Sequence, residues 1–212
     1  MYKEYDFAGH LVERFASYHR QSYACKVGVG DVLIGATQTI AEYNGTEKAS
    51  HVKDKIVEMI HLNETLYCGC IACASEGKCE QPGTYMVNTL LANVHKQNIT
   101  RFPYEIARLA QDIAGGALVT LPSADDLYHP EAGKWIKKYF KTKNDVPTEN
   151  RIKLLRLIEN ITMGTAAVGY LTESMHGAGS PQAQRIMIAR ESNVKEKQQL
   201  AKRLAQIIAS EE

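Results

Sequence analysis

Apolar residues recur at helical period along nearly the whole 212-residue chain, and no run sustains the alternation of a strand. That pattern confines the fold to an all-α bundle. Phe7, Leu11, Val12, Phe15 and Tyr18 share one face of a first helix, predicted over about 4–24. Gly28-Val29-Gly30-Asp31 then reads as a loop and N-cap, with no preceding strand to support phosphate binding. A second helix, about 31–43, ends at Asn44-Gly45. A third opens near Thr46, carries Val52, Ile56, Met59, Ile60 and Tyr67 on one face, and runs to about 76 as the spine of the bundle.

Gln81-Pro82-Gly83 marks a turn, followed by helices over 84–97 and 103–114, the latter starting with Pro103 and stopping at Gly115-Gly116. Residues 117–147 carry the weakest pattern, broken at Leu121-Pro122-Ser123 and His129-Pro130, with a short basic helix over about 131–141 around Trp135 and Tyr139. A long helix with Leu154, Leu157, Ile158, Ile161 and Val168 is expected from Pro147 to the loop at Thr172. The tail from Pro181 to Ile208 reads as one broken or two consecutive helices, with a solvated amphipathic face at its end. Residues 1–212 are therefore expected to form a single helical domain.

Lys and Arg number 25 against 24 Asp and Glu, a formal net charge of +1, which excludes a nucleic-acid partner bound by bulk electrostatics. No eighteen consecutive residues are apolar, and Met1-Tyr2-Lys3-Glu4-Tyr5-Asp6 lacks the features of a signal peptide. A cytoplasmic protein with no membrane contact is expected. Five cysteines, four of them crowded at Cys68, Cys70, Cys73 and Cys79, suit reduced thiols rather than a disulfide framework.

Chemistry concentrates in two short stretches. Thr172-Glu173-Ser174-Met175-His176-Gly177-Ala178-Gly179-Ser180-Pro181 packs an acid, an imidazole and small residues between two helical patterns. Its glycines allow either close approach or positive φ, and Ser180-Pro181 starts a helix whose N-terminus favours anions. His19-Arg20-Gln21-Ser22-Tyr23-Ala24-Cys25-Lys26 brings imidazole, phenol, thiol and amine together at the end of the first helix. His19, Tyr23 and Lys26 share a face and could bind a metal, move a proton or hold an anion; ordinary amphipathic packing is the alternative. Cys68, Cys70 and Cys73 would point to different sides of a continuing helix, so small packed cysteines fit better there than a metal site. The Gly115-Gly116 pair could receive a cofactor phosphate, although its spacing favours a helix cap.

The blocks HRQSY, KVGVGDVLIGA, NITRFPYEIARLAQDIAGG and TESMHGAGSPQAQRIMIAR resemble the C-terminal region of the 4-hydroxybutyryl-CoA dehydratase/vinylacetyl-CoA Δ-isomerase family, from about residue 6 onward. The wider family includes flavin-dependent 4-hydroxyphenylacetate 3-hydroxylases and has a helical C-terminal domain like that of acyl-CoA dehydrogenases. The resemblance implies a homotetramer with FAD and a [4Fe-4S] cluster that dehydrates 4-hydroxybutyryl-CoA to crotonyl-CoA through radical intermediates. One-electron chemistry at flavin makes an otherwise non-acidic β-hydrogen removable. Carried over by position, His19 and Cys25 would be cluster ligands, with His19 also a candidate base. Tyr23 and Lys26 would contact substrate or the leaving hydroxyl, and Glu173 would serve as acid/base. Thr172, Glu173 and Ser174 would line the flavin, and Gly115 and Gly116 would approach the FAD of a neighbouring subunit.

The family separates the histidine and cysteine by six residues and this chain by five, Arg20 to Ala24. On a continuous helix that difference turns the thiol by about 100°, so the helix is expected to end before Cys25 if both ligands are to serve. Further ligands, another glutamate and much of the flavin and CoA surface belong to N-terminal and middle domains of the family, so that half is expected from another polypeptide or from an upstream reading frame. An exposed apolar helix face, and with it oligomers or aggregation, is then expected. The alternatives are a monooxygenase component of the 4-hydroxyphenylacetate hydroxylase type, or an inactive helical assembly module.

Overall fold

A computed structural model describes residues 3–81 and 83–207. Met1 and Tyr2, Pro82 of the expected turn and Ile208 at the expected end of the tail lie outside the described residues. The helices run α1 Tyr5–Ser22, α2 Cys25–Asn44, α3 Ser50–Ser75, α4 Thr89–Ile99, α5 Phe102–Ala114, α6 Ala124–Tyr128, α7 Ala132–Tyr139, α8 Thr148–Thr162, α9 Thr165–Tyr170, α10 Pro181–Glu191 and α11 Val194–Leu204. Short 3₁₀ turns occupy Gly116–Thr120 and Thr172–Met175. Among the described residues no helix is long and apolar enough to cross a membrane.

The main core lies between α2, α3, α5 and α8, where Leu33, Ile40, Met59, Ile106, Leu155 and Ile158 are removed from solvent altogether. Truncating any of these leucines or isoleucines to alanine costs about 2–5 kcal/mol by lost burial and the cavity left behind. A smaller cluster of Tyr23, Leu66 and Ile99 sits where α1 meets α2, and α4 packs against α1, α3 and α10 beside it. Gly45 closes α2 in the left-handed conformation, φ 74°, as the Asn44-Gly45 stop predicts.

Several expected boundaries move, each for a tertiary reason. Gly28-Val29-Gly30-Asp31 is not a loop; it lies inside α2. Gly30 serves close helix approach, because a Cβ there would run into the side chain of Asn63 on α3. Asn63 Nδ2 donates to Asp31 Oδ1 at 2.8 Å and to the Val27 carbonyl at 3.2 Å, replacing side-chain packing by hydrogen bonds across the two helices. Residues 84–86 are not helical: Thr84–Met86 pairs antiparallel with Lys78–Glu80 as a hairpin, β1 and β2 being Lys78–Glu80 and Thr84–Met86, with Cys79 opposite Tyr85. Three-residue strands are too short to show a period. The helix expected from Pro147 to Thr172 breaks at Met163-Gly164, where a Cβ on Gly164 would lie 2.8 Å from Asn160 Cα.

The apolar stripe of α1 faces outward rather than into the core. Phe7 is 62% and Phe15 68% exposed, and the helix buries Ala16, Ser17 and Arg20 instead. Ile60 and Tyr67 of α3 and Val168 of α9 are likewise exposed, while Val52, Ile56 and Met59 are buried as predicted.

Candidate active site at the joint of α1 and α2

The two helices meet in a tightened turn. Tyr23 N–H donates to the Arg20 carbonyl, Ala24 to Gln21, Lys26 to Tyr23 and Val27 to Ala24, all i→i−3 bonds. Such 3₁₀ winding packs 3.0 residues per turn, and α1 ends at Ser22, before Cys25. The joint buries Tyr23 and Lys26.

Across the molecule, the 3₁₀ turn Thr172–Met175 presents Glu173 to the same point. Tyr23 Oη donates to Glu173 Oε1, while Lys26 Nζ lies 3.0 Å from Glu173 Oε2 and also donates to the Gly169 carbonyl. Gly177 permits this approach, since a Cβ there would collide with Tyr23 Oη and stand 2.5 Å from Glu173 Oε1. Gly179 uses the other freedom of glycine, at φ 92°, and Ser180 caps α10 by accepting from Ala183 N–H. Arg20 locks the loop from beneath, donating to the Ala178 carbonyl at 3.0 Å and to Asn93 Oδ1 on α4 at 2.7 Å.

The electrostatics assign protonation states. Burial raises the Glu173 pKa, but hydrogen bonds from Tyr23 and Lys26 and the charges of Lys26 and Lys96 outweigh it and hold the group below the ordinary carboxylate range. Burial and the bond to Glu173 push the Tyr23 phenol well above its usual value. At neutral pH the pair is thus a carboxylate accepting from a neutral phenol. The Glu173 side chain remains 45% exposed while Lys26 is 8%, so the carboxylate faces an opening and its cation lies behind it. A recess of about 570 Å³ opens at Gly169, whose carbonyl accepts from Lys26, and is lined also by Cys25, Gly28, Val29, Val32 and Tyr170; Glu173 does not line it.

Of the residues singled out in the sequence, Tyr23, Lys26 and Glu173 converge. His19, half-buried, stacks on the Tyr23 ring with centroids 5.5 Å apart, and Cys25 is exposed at the start of α2. Among the described residues no group of three or more His, Cys, Asp or Glu side chains is arranged to hold a metal ion. His19 and Cys25 therefore offer two donors where a four-iron cluster needs four, and these residues alone do not fit it. Ser174 is buried, with its carbonyl taken by Lys96, whereas Thr172 is exposed. Gly115, at φ 75°, ends α5, and Gly116 opens the turn that packs on α8; they cap a helix, as their spacing suggests. Cys68 and Cys79 are exposed rather than packed; Cys73 is the buried thiol, its pKa pushed up to about 12 by burial. Lys96 and Asn93 were not legible as site residues, because a lysine on an amphipathic helix reads as solvated.

Residues 8–206 match the model of the HpaB family, described as 4-hydroxyphenylacetate 3-hydroxylase C terminal. The chain belongs to this family. Within it, the chain is 60% identical over 214 residues to the 4-hydroxybutyryl-CoA dehydratase/vinylacetyl-CoA-Δ-isomerase of Clostridium aminobutyricum, covering 97% of this chain and 44% of that protein. It superposes with a TM-score of 0.95 on an oxygen-tolerant archaeal 4-hydroxybutyryl-CoA dehydratase from N. maritimus, at 61% identity, covering 99% of this chain and 42% of that one. The HpaB oxygenase component of 4-hydroxyphenylacetate 3-monooxygenase, solved complexed with FAD, shares the fold at 21% identity and a TM-score of 0.78, over 88% of this chain and 39% of that one. The HpaB family chain described here thus spans less than half the length of the relatives it matches.

Proposed function

We propose that the chain is the C-terminal helical part of a 4-hydroxybutyryl-CoA dehydratase with vinylacetyl-CoA isomerase activity, a lyase acting on an acyl-CoA. The observation that carries this reading is the convergence of Tyr23 and Lys26 on Glu173 across about 150 residues of chain, in a sequence 60% identical to a dehydratase of that specificity. Glu173, ionised and partly exposed, is placed to take a proton from a substrate carbon. Lys26 and Tyr23 carry the protons that a departing hydroxyl requires, and their bonds to Glu173 keep all three groups in register. Lys26 and Lys96 both act on this one carboxylate, a balance that favours negative charge developing on a substrate oxygen.

FAD is the cofactor proposed, and when bound it would supply one-electron exchange. Gly28 and Gly169 leave two places on the wall of the recess without a side chain, which suits the approach of a flat ring. Tyr170 and Val29 would give it apolar contact. A [4Fe-4S] cluster would draw on His19 and Cys25 for half of its ligands, the rest coming from a polypeptide outside these residues, and no step is assigned to it. Self-association into a tetramer and a second polypeptide carrying the remaining surface belong to the same reading.

The test is formation of crotonyl-CoA from 4-hydroxybutyryl-CoA by the chain purified without oxygen, together with any polypeptide it carries. Glu173→Gln is expected to lower the rate by about 10²–10⁴-fold, the usual contribution of a positioned acid or base. A folded preparation holding flavin and a partner chain that forms no crotonyl-CoA would sink the reading. A preparation that binds no flavin would favour an inactive helical assembly module.

A further inference from the structure

Lys96 of α4 has no exposed surface, yet it lies outside every stretch whose pattern suggests chemistry. Burying an ammonium costs several kcal/mol unless it is compensated, and a methionine would fill the same volume without that cost. Two contacts compensate it here. Its Nζ stands 3.3 Å from the centroid of the Tyr23 ring, and it donates to the Ser174 carbonyl at 2.5 Å. One side chain thereby ties the joint of α1 and α2 to the turn that carries Glu173.

We propose that Lys96 is a positioning residue whose charge, rather than its bulk, fixes the Tyr23 phenol and the Thr172–Met175 turn so that Tyr23 Oη meets Glu173. A cation on the face of a phenol draws on the ring's electron density, strengthening the O–H as a donor. The Ser174 carbonyl lies one residue from Glu173, so the same ammonium sets the height of the carboxylate. Burial lowers the Lys96 pKa to about 8, opposed by Glu173, so the side chain is still largely charged at neutral pH. The catalytic meaning of this placement rests on the dehydratase reading; the placement itself does not.

The experiment uses the full chain labelled with ¹³C at tyrosine Cζ, the Tyr23 signal being assigned through Tyr23→Phe. In Lys96→Met, the Tyr23 signal is expected to move toward that of exposed tyrosines while helicity by circular dichroism is retained. A folded Lys96→Met protein whose Tyr23 signal stays in place would overturn the proposal. Should Lys96→Met not fold, the unaltered chain decides: the Lys96 Cε protons must be displaced upfield by the Tyr23 ring and return on Tyr23→Leu, and their absence from that position overturns it. In turnover, Lys96→Met is expected to lower kcat at least about tenfold with KM little changed, the mark of an interaction made in the transition state. Absence of turnover by the unaltered chain would instead count against the dehydratase reading and leave the spectroscopic comparison to judge Lys96.

Discussion

Two regions of the molecule gather reactive side chains, and they do so in opposite ways. Around Glu173, groups from the α1–α2 joint, α4 and the turn before α10 point into one small volume. Along the last turns of α3 and the hairpin after it, four thiols lie within twelve residues and share no common point. Cys73 faces the interior, Cys70 accepts a hydrogen bond from Gln21 Nε2 at 3.1 Å, and Cys68 and Cys79 face outward. Helix geometry explains the contrast: Cys68 stands two and five residues from Cys70 and Cys73, offsets that fall on different sides of a helix, and only Cys70 and Cys73, three apart, are neighbours. Density of chemistry in the sequence does not make a site; convergence of separate elements does.

The sharpest way to break the converged region is Gly177→Ala. The added methyl must displace the Tyr23 phenol or the Glu173 carboxylate, because it has no other space. Overpacking of this kind costs about 1–3 kcal/mol, and misplacing a catalytic pair by an ångström costs about 10² in rate. Both are expected, read by thermal melting and by crotonyl-CoA formation. An alanine variant with unaltered turnover would mean that the Tyr23–Glu173 contact is dispensable.

How much of this could be read from the chain follows the same contrast. Tyr23, Lys26 and Glu173 were legible because each sits in a short polar stretch at a helix boundary, where apolar periodicity stops and needs another explanation. The helical class was legible too, since α2, α3, α5 and α8 bury one face each over three turns or more. The outward stripe of α1 defeated the same reasoning, because periodicity shows that a helix has an apolar face and not what covers it. Gly30 misled for a local reason: a glycine in a helix signals a break unless the neighbouring helix, here through Asn63, is known to occupy the place of its Cβ. Lys96 was illegible because nothing in its own helix reveals that its end lies over a tyrosine seventy-three residues earlier.

His95 lies between the two regions and sharpens their comparison. It is 1% exposed, neither ring nitrogen makes a hydrogen bond of good geometry, the Leu66 backbone offering only a weak one, and a Cβ on Gly69, amid the thiols, would lie 3.0 Å from its Nδ1. Burial and the adjacent Lys96 charge lower its pKa to about 4 from the ordinary 6.5, against a weaker pull from the Leu66 backbone. Between pH 6.5 and 4 the unfolded chain binds a proton that the folded chain refuses, so stability falls as pH falls through that window and is unaffected by this group above it. The loss approaches roughly 3 kcal/mol by pH 4. His95→Leu is expected to remove that part of the slope, measured as the difference between urea melts of the two proteins at pH 7 and pH 4.5. Parallel losses in both would mean that the imidazole is hydrated in solution.

The smallest effects are expected among the thiols, and their inequality is the point. Cys68→Ser and Cys79→Ser alter exposed groups and should change stability by less than about 0.5 kcal/mol. Cys73→Ser places a hydroxyl in the apolar cluster formed with Val87 and Ala92, at a cost of about 1–3 kcal/mol if it finds no partner. A thiol reagent should therefore modify Cys25, Cys68 and Cys79 in the native protein and reach Cys73 only on unfolding, since burial hinders access and disfavours the thiolate that reacts. Equal reactivity and equal tolerance at all four positions of the 68–79 segment would mean that the end of α3 opens in solution. The dispersed thiols would then be free to meet, and a cluster in sequence would become a site in space.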